Sequence, residues 1–345
     1  MRVIIVGAGS IGRRHAANFA AIGISDLAFV RRSPDPVSSA PGVPVFPSLD
    51  AAIRSAGDLI MVCTPAPFHL ETANKAVDAG CHVFIEKPLS HTWDEVESFI
   101  RKISLSPVCG WVGYDMRFDT GIEALKDWID SGRFGRPLAF AAEVGQYLPD
   151  WRPDVDYRKG VTARSDLGGG VLLELSHELD LARWLMGPYE TISAFSDTLL
   201  LDMDVEDIAT CLIRFQSGAL GMIHLDALQR TMKRWCRIVC SEATLWWDAC
   251  ARTAHAVGSG GAVLESIAWT TEDRDARFRK ELAAVLREID RRIPARISIE
   301  EGAETLRWVL AAKQMAGTAQ RHTRPLNHDD DGAPDMDGRG GGDRR

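Results

Sequence analysis

Long apolar runs, an excess of positive charge and closely paired cysteines are all missing from this 345-residue sequence. No apolar stretch approaches the ~20 residues that a membrane-spanning helix needs, so we expect no contact with a membrane. The first apolar stretch runs into a glycine turn and has no signal-peptide cleavage pattern, which indicates a cytoplasmic protein. Acidic residues outnumber basic ones by 48 to 40, and the net charge of -8 argues against a general nucleic-acid surface.

The cysteines are scattered and form no C-x-x-C pair. Cys236 and Cys240 lie in one strand-like stretch, where alternation places them on the same face of a sheet. A zinc site would need more ligands at hairpin spacing, so we expect reduced core thiols and no bound metal. The seven cysteines stand at positions 63, 81, 109, 211, 236, 240 and 250.

Alternating strand and helix patterns fill the first third of the chain. Apolar strands at Val3–Val6, Leu59–Cys63 and His82–Ile85 alternate with helical segments, which is typical of a doubly wound parallel sheet. The length of the chain favours two domains. We therefore predict an α/β protein whose residues 1–118 form an N-terminal Rossmann domain.

The pattern changes after residue 118 to strand-like runs joined by turns such as Gln216-Ser217-Gly218. A helix is predicted over about Val171–Leu185. We expect residues 119–322 to form a C-terminal α+β domain with a large, mainly antiparallel open sheet. Residues 323–345 are rich in Asp, Gly and Arg, and we expect them to be disordered.

Gly7, Gly9 and Gly12 form a G-x-G-x-x-G pattern between the first apolar strand and a helix-forming segment. In that context Gly7 permits a tight turn, Gly9 lets the backbone approach a pyrophosphate, and Gly12 lets the helix lie close to the strand. The free N–H groups of the helix N-terminus, which includes Ser10 and Ile11, attract phosphate oxygens. The pattern predicts a dinucleotide site rather than an ordinary glycine-rich turn.

The end of the second strand indicates which cofactor binds. NAD enzymes typically carry Asp or Glu there, bonded to the ribose 2′-hydroxyl. Here the strand Leu27–Val30 runs into Arg31, Arg32 and Ser33. Two guanidinium groups and a hydroxyl suit a 2′-phosphate. We predict NADP, with NAD as the other possibility, and the alternative is that both arginines are solvated loop residues.

Two further segments carry residues suited to hydride chemistry. Glu86-Lys87-Pro88 closes an apolar strand and places Lys87 at the carboxyl end of the sheet, where it can stabilise negative charge on a reacting oxygen. His177 and Asp180 are three apart on the helix predicted after Gly168-Gly169-Gly170 and share a face. Histidine suits proton transfer near neutral pH, and the carboxylate could orient it or hold a substrate hydroxyl.

Taken together, these segments resemble the Gfo/Idh/MocA oxidoreductases over roughly residues 1–318. The resemblance implies a Rossmann domain, a second domain whose open sheet often mediates oligomerisation, and oxidation or reduction of sugars, inositols and related polyols. A homodimer or homotetramer is expected on this analogy. The resemblance rests on Gly7 to Gly12 with His15, Cys63-Thr64-Pro65 with His69, Glu86-Lys87-Pro88, Gly110 to Phe118 with Tyr114, Asp115 and Arg117, and Gly168 to Gly170 with Glu174, His177 and Asp180.

The resemblance also implies roles for single residues. Lys87 would be the catalytic lysine, and His177 with Asp180 would carry the acid/base chemistry. Further cofactor contacts are expected from Cys63, Thr64, Pro65, His69, Glu86 and Lys87, and substrate contacts from Lys87, Tyr114, Arg117, Glu174 and His177.

The spacing between Glu174 and His177 departs from the usual pattern of the family. Many relatives place an acid four residues before the histidine with a glycine between, whereas here the gap is three and Ser176 stands near the glycine position. On a continuous helix one residue corresponds to a rotation of about 100°. We therefore expect Glu174 or His177 to sit differently from the common arrangement, while the step from His177 to Asp180 is intact.

A loop-like segment carries two aromatic residues, Trp151 and Tyr157, and two arginines, Arg152 and Arg158. Aromatic faces stack on sugar rings, and arginines bind carboxylates or phosphates. This composition predicts an anionic substrate such as a nucleotide sugar or a sugar acid. The alternative is a surface loop anchored by Trp151.

Three functions remain open. The first is an NAD(P)-dependent dehydrogenase or reductase acting on a sugar, inositol or nucleotide sugar. The second is a glycosidase that oxidises its sugar transiently and shows no net cofactor turnover. The third is a non-catalytic regulator that senses dinucleotide, although the presence of both Lys87 and His177 argues against it.

Overall fold

The computed structural model describes residues 1–31, 40, 42–54, 57–270 and 275–318. The predicted tail over 323–345 and the predicted cofactor residues Arg32 and Ser33 lie outside these ranges. Within them, no helix is long and apolar enough to cross a membrane.

The N-terminal sheet is parallel and has six strands in the order β3-β2-β1-β4-β5-β6. This order confirms the predicted Rossmann fold. The central strands are buried along their length, as expected when helices cover both faces. The strands are β1 (Val3–Val6), β2 (Leu27–Val30), β3 (Val45–Phe46), β4 (Leu59–Val62), β5 (His82–Glu86) and β6 (Gly110–Gly113), and the helices between them are α1 (Ser10–Ala21), α2 (Leu49–Ile53), α3 (His69–Asp78) and α4 (Val96–Ser104).

The chain order of the strands reverses at β1, which pairs with β2 on one side and with β4 on the other. This switch point, at the carboxyl ends of β1 and β4, is where open α/β sheets bind ligands. The structure therefore places Gly7, Cys63 and Lys87 at one edge of the sheet, after β1, β4 and β5 respectively.

The second sheet has eight strands in the order β14-β13-β12-β11-β7-β10-β9-β8, and it confirms the predicted large open sheet. All neighbours are antiparallel except β7 and β10. The strands are β7 (Pro137–Gly145), β8 (Tyr189–Asp197), β9 (Ile208–Phe215), β10 (Leu220–Asp226), β11 (Lys233–Cys240), β12 (Thr244–Asp248), β13 (Thr253–Val257) and β14 (Val263–Ala268). The hairpin between β9 and β10 turns at Gln216–Gly218, as predicted.

One face of this sheet is buried and the other is open. Along β9 and β10, alternate residues are buried, while Leu212, Leu220 and Met222 point outward and are exposed. The buried face is covered by helices, which gives the alternation its physical cause. The helices that follow the first sheet are α5 (Thr120–Asp130), α6 (Leu148–Trp151), α7 (Val171–Glu174), α8 (His177–Met186), α9 (Ala276–Arg291) and α10 (Ile299–Thr318).

The last two helices pack against elements from both halves of the chain. Helix α9 lies against α1 and against a short 3₁₀ helix, Asp115–Phe118, that follows β6. Helix α10 packs on β8 of the second sheet and on β6 of the first. The core is therefore continuous between the two sheets, and the chain boundary at residue 118 stays a prediction.

The helix predicted over Val171–Leu185 is interrupted, and in this respect the prediction was wrong. Helix α7 ends at Glu174 and α8 begins at His177. Leu175 between them has φ -100° and ψ +30°, outside the helical range. The argument from a rotation of about 100° per residue does not apply across this break, because it assumes a continuous helix.

Candidate active site

The glycine loop has the geometry of a phosphate site. Gly7 has φ +106°, and a Cβ there would lie 2.5 Å from the carbonyl oxygen of Cys63. A Cβ on Gly12 would lie 2.0 Å from the carbonyl oxygen of Gly7. Both glycines are thus required by the packing of the protein itself.

Gly9 differs from its two neighbours in the loop. A Cβ on Gly9 would meet nothing within 4 Å, and the residue is the N-cap of α1 with ordinary extended dihedral angles. Gly9 has no side chain with which to cap the helix, and the first turn of α1 carries no acidic residue. Free N–H groups, open space and the positive end of the helix dipole fit a pyrophosphate.

Arg31 follows directly after β2, where the predicted 2′-phosphate site begins. Its backbone N–H donates to the carbonyl of Phe46, 3.1 Å away, and this bond sets the direction in which the chain leaves the sheet. No acidic residue occupies the position immediately after the strand. The two other residues of the prediction, Arg32 and Ser33, are not described by the structure.

The loop after β4 is held by a buried histidine. The nitrogens of His69 lie 2.9 Å from the carbonyl oxygen of Pro88 and 2.7 Å from that of Thr64. The ring therefore links the loop over Cys63-Thr64-Pro65 to the loop that carries Lys87. Burial lowers the pKa of His69 and raises that of the Cys63 thiol. The side chain of His69 is occupied in joining these two loops.

Glu86 and Lys87 point in different directions at the end of β5. Glu86 is buried, and its Oε1 lies 2.5 Å from Nε2 of the fully buried His15 on α1. Lys87 Nζ donates to the backbone carbonyl of Glu174 at 2.5 Å and lies 3.4 Å from Glu174 Oε1. The lysine thus reaches from the first sheet to the helix pair α7 and α8.

His177 lies at the start of α8, beside this lysine. Its Nε2 is 3.5 Å from Oδ1 of Asp115, and its ring packs edge-on against Tyr114 with the ring centres 5.5 Å apart. Burial lowers the pKa of His177 well below its ordinary value, although the nearby Asp115 opposes this effect. The imidazole is therefore neutral at physiological pH and is able to accept a proton.

Asp180 and Arg117 bind each other in the core. Arg117 donates from Nε to Asp180 Oδ2 at 2.7 Å and from Nη2 to Asp180 Oδ1 at 2.5 Å, and Thr305 Oγ1 donates to Oδ1 at 2.8 Å. Arg117 also donates to Glu301 on α10, at 2.9 Å. These bonds join α8, α10 and the segment after β6. The catalytic role of Asp180 and the substrate role of Arg117 stay predictions.

Tyr114 lies in the interior, against His177. Its side chain is fully buried, and burial raises the pKa of its phenol far above the ordinary value. It supports the ring of His177 from one side. The predicted contact of Tyr114 with substrate stays a prediction.

The segment with two aromatics and two arginines lies at the surface. Trp151 donates its indole N–H to the carbonyl of Gln146 at 3.0 Å, and the hydroxyl of Tyr157 accepts from the backbone N–H of Asp202 at 3.1 Å. Arg158 is exposed and pairs with Asp156 at 2.9 Å. Arg152 is exposed as well. The roles of these four residues in binding substrate stay predictions.

Three residues near His177 were absent from the predicted site, namely Asp115, Arg277 and Glu281. Arg277 donates from Nε to Asp115 Oδ2, and Glu281 is buried on α9. Asp115 stood in a segment that the family resemblance had marked. Arg277 and Glu281 follow Asp115 by more than 160 positions, and local sequence carries no signal that would join them to it.

Comparison with known families agrees with this geometry. Residues 1–114 match a family model described as "Oxidoreductase family, NAD-binding Rossmann fold", and residues 122–246 match the GFO/IDH/MocA C-terminal domain.

The chain belongs to the GFO/IDH/MocA oxidoreductase family.

Curated relatives of this family member include a myo-inositol 2-dehydrogenase from Thermotoga maritima, which is 28% identical over 250 residues covering 65% of this chain and 67% of the relative. A UDP-N-acetylglucosamine 3-dehydrogenase from Acidithiobacillus ferrooxidans is 26% identical over 322 residues, 90% of this chain and 95% of the relative. With several other curated relatives the matched part spans only about half of their length.

Among solved structures, the WlbA dehydrogenase from Bordetella pertussis in complex with NADH and UDP-GlcNAcA superposes with a TM-score of 0.78. It shares 23% identity, and the match covers 92% of this chain and 97% of that one. The similarity shows a common fold. A nicotinamide dinucleotide fits the family and the open space at Gly9, and the residues that would hold it lie after β1, β4 and β5.

Proposed function

We propose that this protein transfers a hydride between a nicotinamide cofactor and a secondary hydroxyl or keto group of a sugar, inositol or nucleotide sugar. The observation that carries the proposal is the contact of Lys87, from the nucleotide-binding sheet, with Glu174, three residues before His177. Lys87 is close enough for its charge to lower the pKa of His177. A cation and a neutral base therefore lie near each other at this site.

Each side chain has a separate part in the reaction. When bound, the nicotinamide would accept or return the hydride. Lys87 would donate a hydrogen bond to the reacting oxygen and stabilise its developing negative charge. His177 would take the hydroxyl proton during oxidation and return it during reduction, because its pKa lies below physiological pH. Glu174 would hold the lysine in place until substrate arrives.

A panel of sugars, inositols and nucleotide sugars tests the proposal by absorbance at 340 nm with NAD⁺ and NADP⁺. We expect Lys87→Met and His177→Asn each to lower turnover of the accepted substrate at least about a hundredfold. Lys75→Met is the matched control, because Lys75 is exposed on α3 and pairs with Glu71. Full turnover in the first two variants would contradict the proposed roles.

We also propose that NADP is preferred over NAD. The supporting observation is that an arginine, and no acid, follows β2 directly, with a second arginine next in the sequence. The structure of the Bordetella dehydrogenase contains NADH, so a preference for NADP would distinguish this chain from that protein. We expect NADPH to raise the melting temperature more than NADH, and the difference to vanish in Arg31→Ala/Arg32→Ala. A larger stabilisation by NADH would contradict the preference.

The substrate is proposed to be anionic, and the surface segment of Trp151, Arg152, Tyr157 and Arg158 is proposed to contact it. Support comes from the composition of the segment and from the two nucleotide-sugar dehydrogenases among the similar proteins. We expect Arg152→Ala to raise the KM for an anionic sugar more than that for its neutral counterpart. An equal change for both would contradict the proposal.

We further propose that the outer face of the second sheet joins copies of the chain into a homodimer or homotetramer. Its exposed apolar side chains include Phe195, which is 68% exposed, and Leu212 at 54%. Burying such a patch is favourable. Light scattering on the wild type and on Leu212→Lys tests this proposal, and a monomeric wild type would contradict it.

A further inference from the structure

Two aspartates are candidates for orienting His177, Asp180 one turn further along α8 and Asp115 after β6, and they have different partners. Both carboxylate oxygens of Asp180 are used by Arg117, and Thr305 adds a third bond. Asp115 has one oxygen bound by Arg277, while its other oxygen lies 3.5 Å from His177 Nε2. Asp115 is therefore the carboxylate whose free oxygen faces the imidazole.

The three groups come from distant parts of the chain. Asp115 begins the 3₁₀ helix after β6, His177 begins α8, and Arg277 lies in the first turn of α9. Asp115 is 5% exposed, so water does not screen its charge effectively. The contact between Asp115 and His177 thus links the nucleotide-binding sheet to the second sheet.

Charges around the pair keep Asp115 ionised. Burial raises the pKa of Asp115, but Arg277 and His177 outweigh this effect, so that the pKa lies below its ordinary value. Glu281, one turn along α9 from Arg277, is buried, and burial together with Asp115 and Glu86 raises its pKa well above the ordinary value. Glu281 is therefore the neutral acid, and Asp115 carries the negative charge.

His177 is further surrounded by three cations. Arg234 on β11, Lys87 after β5 and Arg277 on α9 each lower its pKa, and Asp115 is the group that raises it. Arg234 itself is bound to the buried Glu178, with Nε 2.8 Å from Oε1. Removing the carboxylate of Asp115 would remove the charge that raises the pKa of His177 and leave the three cations that lower it.

The two nitrogens of His177 have different surroundings. Nε2 faces Asp115, whereas Nδ1 is buried and has no hydrogen-bond partner within the part of the chain that the structure describes. A carboxylate at Nε2 favours the tautomer that carries its proton there and leaves a lone pair on Nδ1.

We propose that Asp115, clamped by Arg277, is the positioning residue for His177: it accepts the Nε2 proton and so sets the orientation and the tautomer of the ring. This inference rests on the proposed acid/base role of His177. The distance of 3.5 Å is longer than an ideal hydrogen bond, and such contacts commonly tighten when substrate binds.

NMR tests the tautomer without any substrate. The imidazole signals of His177 are identified as those missing from His177→Gln, and their ¹⁵N shifts report which nitrogen is protonated. We expect Asp115→Asn to reduce the Nε2-protonated tautomer and to lower the pKa of His177, because the carboxylate that raises it is gone. Asp127→Asn, at an exposed position on α5, is the matched control and should leave both unchanged. An unchanged tautomer and pKa in folded Asp115→Asn would overturn the inference.

A second variant covers the case in which Asp115→Asn does not fold. Arg277→Gln removes the clamp and is expected to reduce the same tautomer, with Arg287→Gln, exposed on the same helix, as its control. A wild-type tautomer population in Arg277→Gln would count against the clamp.

The pH profile of turnover adds a kinetic readout. In Asp115→Asn we expect kcat to fall at least about a hundredfold, since the imidazole loses its orienting carboxylate, with little change in KM. The acidic limb of kcat/KM should move to lower pH, in step with the pKa of His177. If His177→Asn retains full turnover, the proposed acid/base role of His177 fails, while the NMR result still decides whether Asp115 orients the ring; if the wild type turns over no member of the substrate panel, the proposed function itself fails.

Discussion

Replacing Gly9 and Gly12 separately by alanine should separate cofactor binding from folding. A Cβ on Gly12 would lie 2.0 Å from the carbonyl oxygen of Gly7, which belongs to the turn after β1 and has little room to move. Overpacking of this kind costs about 1–3 kcal/mol or more. We therefore expect Gly12→Ala to destabilise the cofactor-free protein by at least that amount in urea unfolding.

Gly9→Ala should behave differently, because the added methyl group meets nothing within 4 Å and the backbone is in an ordinary extended conformation. Loss of glycine at an N-cap costs up to about 1 kcal/mol, and the stiffer unfolded chain offsets part of that cost. In the complex, however, the methyl group would occupy the space of the pyrophosphate. Losing one charge-assisted hydrogen bond costs about 1.5–3 kcal/mol, which corresponds to about a 10- to 100-fold rise in Kd.

Isothermal titration with NADH and NADPH, together with urea unfolding of the cofactor-free variants, measures both quantities. Gly317→Ala, at an open position in α10, is the control and should leave Kd unchanged. The reasoning is refuted if Gly9→Ala destabilises the cofactor-free protein as much as Gly12→Ala does, or if it binds both dinucleotides with the wild-type Kd.

Three further perturbations have defined outcomes. Because the pKa of Glu281 is raised in the native protein, its carboxyl keeps its proton above pH 4.5, where the unfolded chain releases it. The free energy of unfolding therefore falls with rising pH, by about 1.4 kcal/mol per pH unit up to the native pKa. Glu281→Gln should remove this slope in urea unfolding across pH 4–8. Arg117→Met leaves Asp180 buried without its cation and should cost about 3–5 kcal/mol by urea unfolding, with partial recovery in Arg117→Met/Asp180→Asn. Asp119→Ala removes the N-cap of α5 and the hydrogen-bond acceptor of the Trp247 indole, 2.8 Å away. The free energy of unfolding should fall by about 2–4 kcal/mol in calorimetry. An unchanged melting temperature would contradict the capping role.

Local sequence patterns were sufficient to predict the strands and helices that position the site. Apolar strands buried on both faces, a glycine pattern before a helix and a change to alternating strands after residue 118 predicted both sheets. The predicted continuous helix over 171–185 failed because apolar periodicity persists across the break at Leu175. Hydrophobic spacing reports which face is buried, and it is insensitive to a local change in ψ between two short helices.

The sequence by itself determined the fold class, the phosphate loop and the chemical types available for the reaction, because each depends on residues close together in the chain. Only the tertiary structure decided which partner each charged group has. Asp180 is nearer to His177 in sequence, but it is bound by Arg117, whereas Asp115 faces the imidazole with its other oxygen bound by Arg277. Electrostatic interactions depend on distance and burial in space, and helix α9 brings Arg277 to Asp115 from 162 positions further along the chain.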